Sequence, residues 1–166
     1  MKKILIFGNS GSGKSTLAKH LSLKEDLAHL DLDTIAWLPT NPPQRKQFTD
    51  SKNEIDRFIN THSRWVIEGC YTDLLELALD SVTDIIFMNL SIQDCIANAK
   101  QRPWEAHKYT SKEAQDANLA MLIEWISQYT KRNDTFSHLA HNSFFQNYSG
   151  VKHMIMSNSD SSKLIL

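Results

Sequence analysis

The chain has 166 residues, 18 Lys and Arg against 19 Asp and Glu, and a formal net charge of −1. That length suits one domain over residues 1–166, and a chain of this size buries about two-thirds of its unfolded surface without a disulfide or metal staple. With 22% charged and 41% hydrophobic residues it is not a disordered chain, and the near-neutral balance argues against a nucleic-acid partner. Cys70 and Cys95 form no CxxC pair, and the seven His are scattered, so reduced thiols rather than a zinc site are expected. The apolar run before Gly8 is too short for a signal peptide or a membrane span. These features together lead to the expectation of a cytoplasmic protein without a membrane partner.

In chain order, residues 3–7 form a short apolar run closed by Gly8, which predicts a buried strand. Residues 14–23 suit a helix, with Leu17 and Leu21 on one face, and Ala28 to Asp33 predicts a second strand. The proline-rich segment 39–43 must be loop. A helix over about 45–61 follows, with Phe48, Ile55, Phe58 and Ile59 on its apolar face. Trp65-Val66-Ile67 is the third strand, residues 73–79 a short helix, and 84–90 the fourth strand. Ser91 caps a helix that Pro103 ends. Thr110 to Glu113 has capping-box spacing, and the apolar periodicity predicts one long helix from there to Arg132. Residues 133–150 carry no clear pattern, Val151 to Met156 is the last strand, and the serine-rich tail reads as weakly structured. Strands alternating with helices imply an α/β fold, a five-stranded parallel sheet covered on both faces. In such sheets ligands bind beyond the carboxyl ends of the strands, where Gly8, Asp31, Asp33, Glu68 and Asn89 all fall.

One motif carries specific chemistry. Gly8, Asn9, Ser10, Gly11, Ser12, Gly13, Lys14 and Ser15 fit G-x-x-x-x-G-K-[ST] in full, between a predicted strand and a predicted helix. Small residues let backbone N–H groups turn inward around phosphate oxygens, and the helix that opens there, with Thr16 in its first turn, presents its positive end to the same anion. Lys14 supplies charge to the β- and γ-phosphates, and Ser15 offers a hydroxyl to Mg²⁺. No guanine-reading Asn-Lys-x-Asp occurs, which favours ATP. No acidic pair follows the apolar strand at 85–90, as it does in motor ATPases.

At this point the chain resembles a family. The loop at 8–15, Asp31-Leu32-Asp33 with Trp37, and Trp65-Val66-Ile67-Glu68-Gly69-Cys70-Tyr71 are similar to small P-loop kinases of the adenylate kinase and shikimate kinase type. With Arg102-Pro103-Trp104, they look closest to the adenylate-kinase-related proteins known as DNA topology modulation (FlaR-like) proteins. The resemblance spans most of the chain and implies a three-layer P-loop NTPase fold. It also implies an acceptor-binding segment over about 34–64 and a short lid over about 102–118.

The resemblance assigns roles residue by residue. Asp31 would help hold Mg²⁺ through water, and Asp33 would bind the acceptor hydroxyl as orienter or general base. Alternation would put both on one side of an extended segment, although Asp33 also fits a helix N-cap before Thr34-Ile35-Ala36. Glu68 would order Mg²⁺-bound water, or is simply a strand-end acid. Gly69 would let the acceptor approach the backbone. Arg102 would neutralise charge on the transferred phosphoryl group, or is a solvated helix-end cation. Trp37 and Tyr71 would line the acceptor pocket, or belong to the core.

The sequence departs from the family in one respect. The arginine that follows the strand-three glycine in nucleoside monophosphate kinases is absent. The segment here runs Gly69-Cys70-Tyr71-Thr72-Asp73, and Arg45, Lys46 or Arg57 would have to replace that arginine. The expected activity is ATP- and Mg²⁺-dependent transfer of the γ-phosphate to a small-molecule acceptor. The candidate acceptors are a nucleoside monophosphate or a small hydroxylated metabolite. The alternative is a nucleotide-binding regulatory module with little catalysis.

Overall fold

The structure, a computed structural model, describes residues 1–163. The last three residues of the expected domain lie outside the described residues.

β1 (Lys3–Gly8) leads through the phosphate loop into α1 (Lys14–Glu25), then β2 (Ala28–Asp31) and the single turn α2 (Asp33–Ala36). β3 (Trp37–Leu38) and β4 (Gln44–Arg45) make a small antiparallel hairpin around the prolines, before α3 (Phe48–Thr61). β5 (Trp65–Gly69) is followed by α4 (Thr72–Leu75), a 3-10 turn, β6 (Asp84–Met88) and α5 (Ile92–Lys100). α6 (Lys112–Ala117), α7 (Leu119–Ser127), α8 (His138–Asn147) and β7 (Val151–Ile155) complete the order, with a 3-10 turn at Asn158–Lys163.

The five long strands form a parallel sheet in the order β2-β5-β1-β6-β7. Because both faces are covered, β1, β5 and β6 read as continuous apolar runs, and the pleat deals their side chains alternately to two cores. Leu5, Phe7, Ile67, Ile85 and Phe87 pack under α3, α4 and α8, with Ile55 and Phe144 among their partners. Ile4, Ile6, Val66, Ile86 and Met88 pack under α1, α5 and α7. The three-layer α/β architecture is the expected one.

Several boundaries differ from the sequence reading, each because a tertiary contact overrides local pattern. The second strand ends at Asp31, since Leu32 already turns into the helical region. Asp31 and Asp33 are therefore related by a turn, in which Asp31 Oδ1 accepts the Asp33 N–H at 2.9 Å, and not by strand alternation. The helix expected from 45 starts at Phe48, because Arg45 pairs with Trp37 and the Lys46 N–H is donated back to Ala36 O. The long helix expected over 110–132 is two, meeting at Asn118. Ser111 rather than Thr110 caps the first of them, accepting from the Ala114 N–H. The break sits where the Asn118 amide reaches the Tyr109 hydroxyl and the Gln115 amide reaches Pro103 O, so the segment 103–109 is tied to α6 and to its junction with α7. Residues 133–150 hold α8, whose cap Ser137 is fully buried and accepts from the Ala140 N–H.

Candidate active site

The carboxyl ends of β1, β2 and β5, the end of α5 and residues 102–109 enclose a cavity of about 880 Å³. The phosphate loop forms one wall. Gly8 and Gly11 wedge that loop against the sheet: a Cβ on Gly8 would stand 2.4 Å from Met88 O, and one on Gly11 2.3 Å from Cys95 O. Gly11 also has φ +77°, a conformation L side chains rarely adopt. Ser10, Gly11, Gly13, Lys14, Ser15 and Thr16 border the cavity, whereas Gly8, Asn9 and Ser12 do not. Asn9 is buried and its amide donates to Ile126 O, and Ser12 is buried with an unpartnered hydroxyl. Lys14 Nζ donates to Asn9 O at 2.8 Å, which folds it over the loop.

Opposite stands a carboxylate cluster. Asp31 lies across from Glu68 in the β2–β5 register. Asp33 follows in the turn and, with Glu68 and Gly69, borders the cavity. Tyr71 donates its hydroxyl to Asp33 Oδ1 at 2.5 Å and accepts the Trp37 indole N–H at 2.6 Å. Lys108 donates to Asp33 Oδ2 at 2.8 Å and stands 3.6 Å from Asp31 Oδ2. Burial pushes the Asp33 carboxyl upward. The Lys108 charge and hydrogen bond, the Tyr71 hydroxyl and the Lys14 charge outweigh it and hold the group below the usual carboxylate range. Asp31 goes the other way, raised by burial and then by the charges of Glu68 and Asp33. Burial favours neutral Lys108, but the Asp33 and Asp31 charges keep it protonated, well above its ordinary value. Burial raises the Cys70 thiol at the same wall to about 12, so it is not a thiolate nucleophile.

The motif implies a divalent cation, and the donors present fit one held mainly through water. Ser15 borders the phosphate loop side of the cavity. Glu68 is 1% exposed, and its Oε1 has no hydrogen-bond partner, lying 3.6 Å from His29 Nε2. Among the described residues no group of three or more His, Cys, Asp or Glu could hold a metal by itself. Mg²⁺ keeps several waters and leans on phosphate oxygens, so it needs few protein ligands.

Arg102 borders the cavity and donates to Glu105 Oε2 at 3.1 Å. Trp37 and Tyr71 do not border it. Tyr71 is 2% exposed, and its hydroxyl is spent behind Asp33 in the Trp37–Tyr71–Asp33 chain, so the expected stacking surface for an acceptor is instead a brace for a carboxylate. His141 is fully buried and bonds the Tyr129 hydroxyl and Cys70 O, which makes it a core residue.

Sequence reading missed three contributors. Glu105 borders the cavity and pairs with Arg102. Asn98 donates to Gly11 O and to Asn158 Oδ1, both at 2.8 Å. Asn158 donates to Ser12 O at 3.0 Å, so the tail expected to be loose is pinned to the phosphate loop. No local signal marks Asn98 and Asn158, because their partners lie 60 to 146 residues away, whereas Glu105 pairs with its near neighbour Arg102 at i+3 spacing.

No family model and no curated protein sequence matches this chain. Solved structures do match. A shikimate kinase from Bacteroides thetaiotaomicron aligns over 94% of this chain and 86% of its own, with TM-score 0.53 and 14% identity. A shikimate kinase from Acinetobacter baumannii, in complex with shikimate, aligns over 98% and 90%, with TM-score 0.53 and 14% identity. At that identity the likeness establishes the fold alone, the three-layer α/β fold that these two shikimate kinases share with this chain.

Proposed function

We propose that the protein is an ATP- and Mg²⁺-dependent phosphotransferase acting on a small hydroxyl-bearing molecule. The observation that carries this reading is that one cavity holds the phosphate loop on one wall and a braced, ionised carboxylate, Asp33, on the other. The loop N–H groups and Lys14 bind the triphosphate and draw charge toward the β- and γ-phosphates. Asp33 accepts the hydrogen bond of the acceptor hydroxyl, aims its oxygen at the γ-phosphorus and takes up its proton as that bond forms and the bond from the γ-phosphorus to the bridging oxygen breaks, which releases ADP. Arg102 answers the charge that develops on the transferred group, and residues 102–118 act as the lid that excludes water. Ser15, Asp31 and Glu68 would hold, largely through water, a Mg²⁺ that screens the triphosphate charge.

The described residues act here as one unit, with the acceptor segment 34–64 and the lid built into it. The finer likeness to adenylate-kinase-related proteins rests on Glu68-Gly69 and Arg102-Pro103-Trp104. No DNA-binding role comes with it, since the charge balance gives none. No helix among the described residues is long and apolar enough to cross a membrane. The free thiols Cys70 and Cys95 support a reducing, cytoplasmic setting.

Lys14→Ala tests the assignment. Lys14 is only partly buried and makes one hydrogen bond, to Asn9 O. The variant is therefore expected to keep its melting temperature and lose acceptor-dependent ADP release by roughly a hundredfold or more. Undiminished turnover would sink the reading. Tight ATP binding by the native protein with no turnover would replace it with a nucleotide-binding module.

A further inference from the structure

We infer that the acceptor is an uncharged, hydroxyl-rich small molecule, and that the site discriminates against monophosphates and carboxylates. This deepens the phosphotransfer reading and rests on it.

An anionic acceptor would need a cation to grip it, and the cations on the 45–61 segment are engaged elsewhere or lie outside the cavity. Arg45 donates to Asp73 Oδ2 at 3.1 Å. Its guanidinium is packed among the rings of Trp37, Tyr71 and Phe136, 5.8, 5.0 and 5.5 Å from their centres. It does not border the cavity. Asp73, which by sequence would repel a monophosphate, instead neutralises the residue that would have held one. Lys46 is paired with Glu54 on α3, and Arg57 is exposed and outside the cavity lining.

Two cations do face the acceptor end of the cavity, and both are matched internally. Arg102 pairs with Glu105 at 3.1 Å. Lys108 pairs with Asp33 at 2.8 Å, with Asp31 at 3.6 Å and with Glu105 at 3.8 Å. Lys14 is turned over the phosphate loop, and Lys19 and His20 border the cavity from α1, beyond Lys14. Asp33, Glu68 and Glu105 border the cavity, with Asp31 in contact with Lys108 behind them, so each cation at this end already has a carboxylate partner.

An anionic acceptor would have to take Arg102 or Lys108 away from a partner already in contact. A neutral acceptor meets no such barrier. A carboxylate has about four lone-pair positions. Asp33 uses some of them on Tyr71 and Lys108 and keeps capacity for a hydroxyl donor. Ground that offers acceptors and withholds free cations selects hydroxyl groups over anions.

Matched pairs test this: adenosine against adenosine monophosphate, glucose against gluconate, glycerol against glycerate, and shikimate methyl ester against shikimate. Each is assayed with Mg-ATP for acceptor-dependent ADP release. Each is also assayed for binding by ligand-observed NMR in the presence of a non-hydrolysable ATP analogue. The neutral member of every pair that is turned over should have a kcat/KM higher by at least about tenfold. Glu105→Gln, which releases Arg102, should narrow that gap by raising the anionic member's kcat/KM. An anionic member that matches or exceeds its neutral partner overturns the proposal, and so does a panel in which no neutral member binds. If Mg-ATP binds and no compound is turned over, the phosphotransfer reading fails, and the charge preference stands or falls on the binding comparison alone.

Discussion

His141 has no exposed surface, yet it is an ionisable residue at the centre of the molecule. Its Nδ1 is 2.8 Å from the Tyr129 hydroxyl and its Nε2 is 3.0 Å from Cys70 O, so the neutral imidazole joins the α7 end of the molecule to the segment that follows β5. Burial dominates its titration and, with the Lys14 and His138 charges, brings its pKa down to about 3, against the opposing hydrogen bond to Cys70 O. A folded value below the unfolded one means that the unfolded chain binds the extra proton. The contribution of His141 is therefore complete above about pH 6.5 and declines on acidification toward 3, by up to about 1.4 kcal/mol per pH unit. His141→Phe leaves the Tyr129 hydroxyl and the Cys70 carbonyl unpaired and should cost about 2–3 kcal/mol at pH 7. In urea unfolding the gap between native and variant proteins should close by about 1–2 kcal/mol between pH 7 and pH 5. A gap independent of pH would show that the imidazole titrates normally. The same scale separates what sequence shows from what it hides. Lys14 is legible because its partners lie within its own motif. Asp33 is legible as a candidate, but its brace of Tyr71 and Lys108 comes from 38 and 75 residues away.

Elements in this protein are cut to fit their neighbours. The phosphate loop touches the start of α5 so closely that Gly11 has no space for a methyl group, and its φ of +77° disfavours one independently. Gly11→Ala must therefore push α5 away or reshape the loop, at a cost of about 2–4 kcal/mol. Thermal unfolding should show that loss, and a nucleotide titration should show weakened affinity, because Asn98 on α5 ties Gly11 O to the tail through Asn158. Unchanged stability and affinity would mean that α5 is not a fixed wall. The junction of α6 and α7 shows the same control by neighbours. Apolar periodicity runs unbroken through Asn118, yet one helix stops and another starts there, where the Gln115 and Asn118 amides bond Pro103 O and the Tyr109 hydroxyl. Periodicity reports which face is buried and is silent about such breaks.

At the scale of the whole molecule the sheet divides the interior of the described residues into two cores, one on each face. Ile55 on α3 is fully buried in one, and Leu21 on α1 is 3% exposed in the other. Ile55→Val should cost about 1 kcal/mol and Leu21→Ala about 2–4 kcal/mol. Because the two sites share no partner, the double variant should reach the sum within about 0.5 kcal/mol in denaturant unfolding. A larger departure would show that the sheet transmits strain between its faces. The sequence by itself determined the α/β class, the phosphate loop and the carboxylates at the strand ends. These follow from local chemistry: apolar runs that only a two-sided sheet can bury, a glycine pattern that only an anion cradle requires, and acids placed where strands stop. Tertiary structure alone decided the turn that joins Asp31 to Asp33, the pairing of Arg45 with Asp73, the use of Tyr71 as a brace, and the pinning of the tail to the phosphate loop. Each depends on which charge or donor the fold brings within about 3 Å, and that distance is set by the packing of helices on the sheet, not by neighbours along the chain.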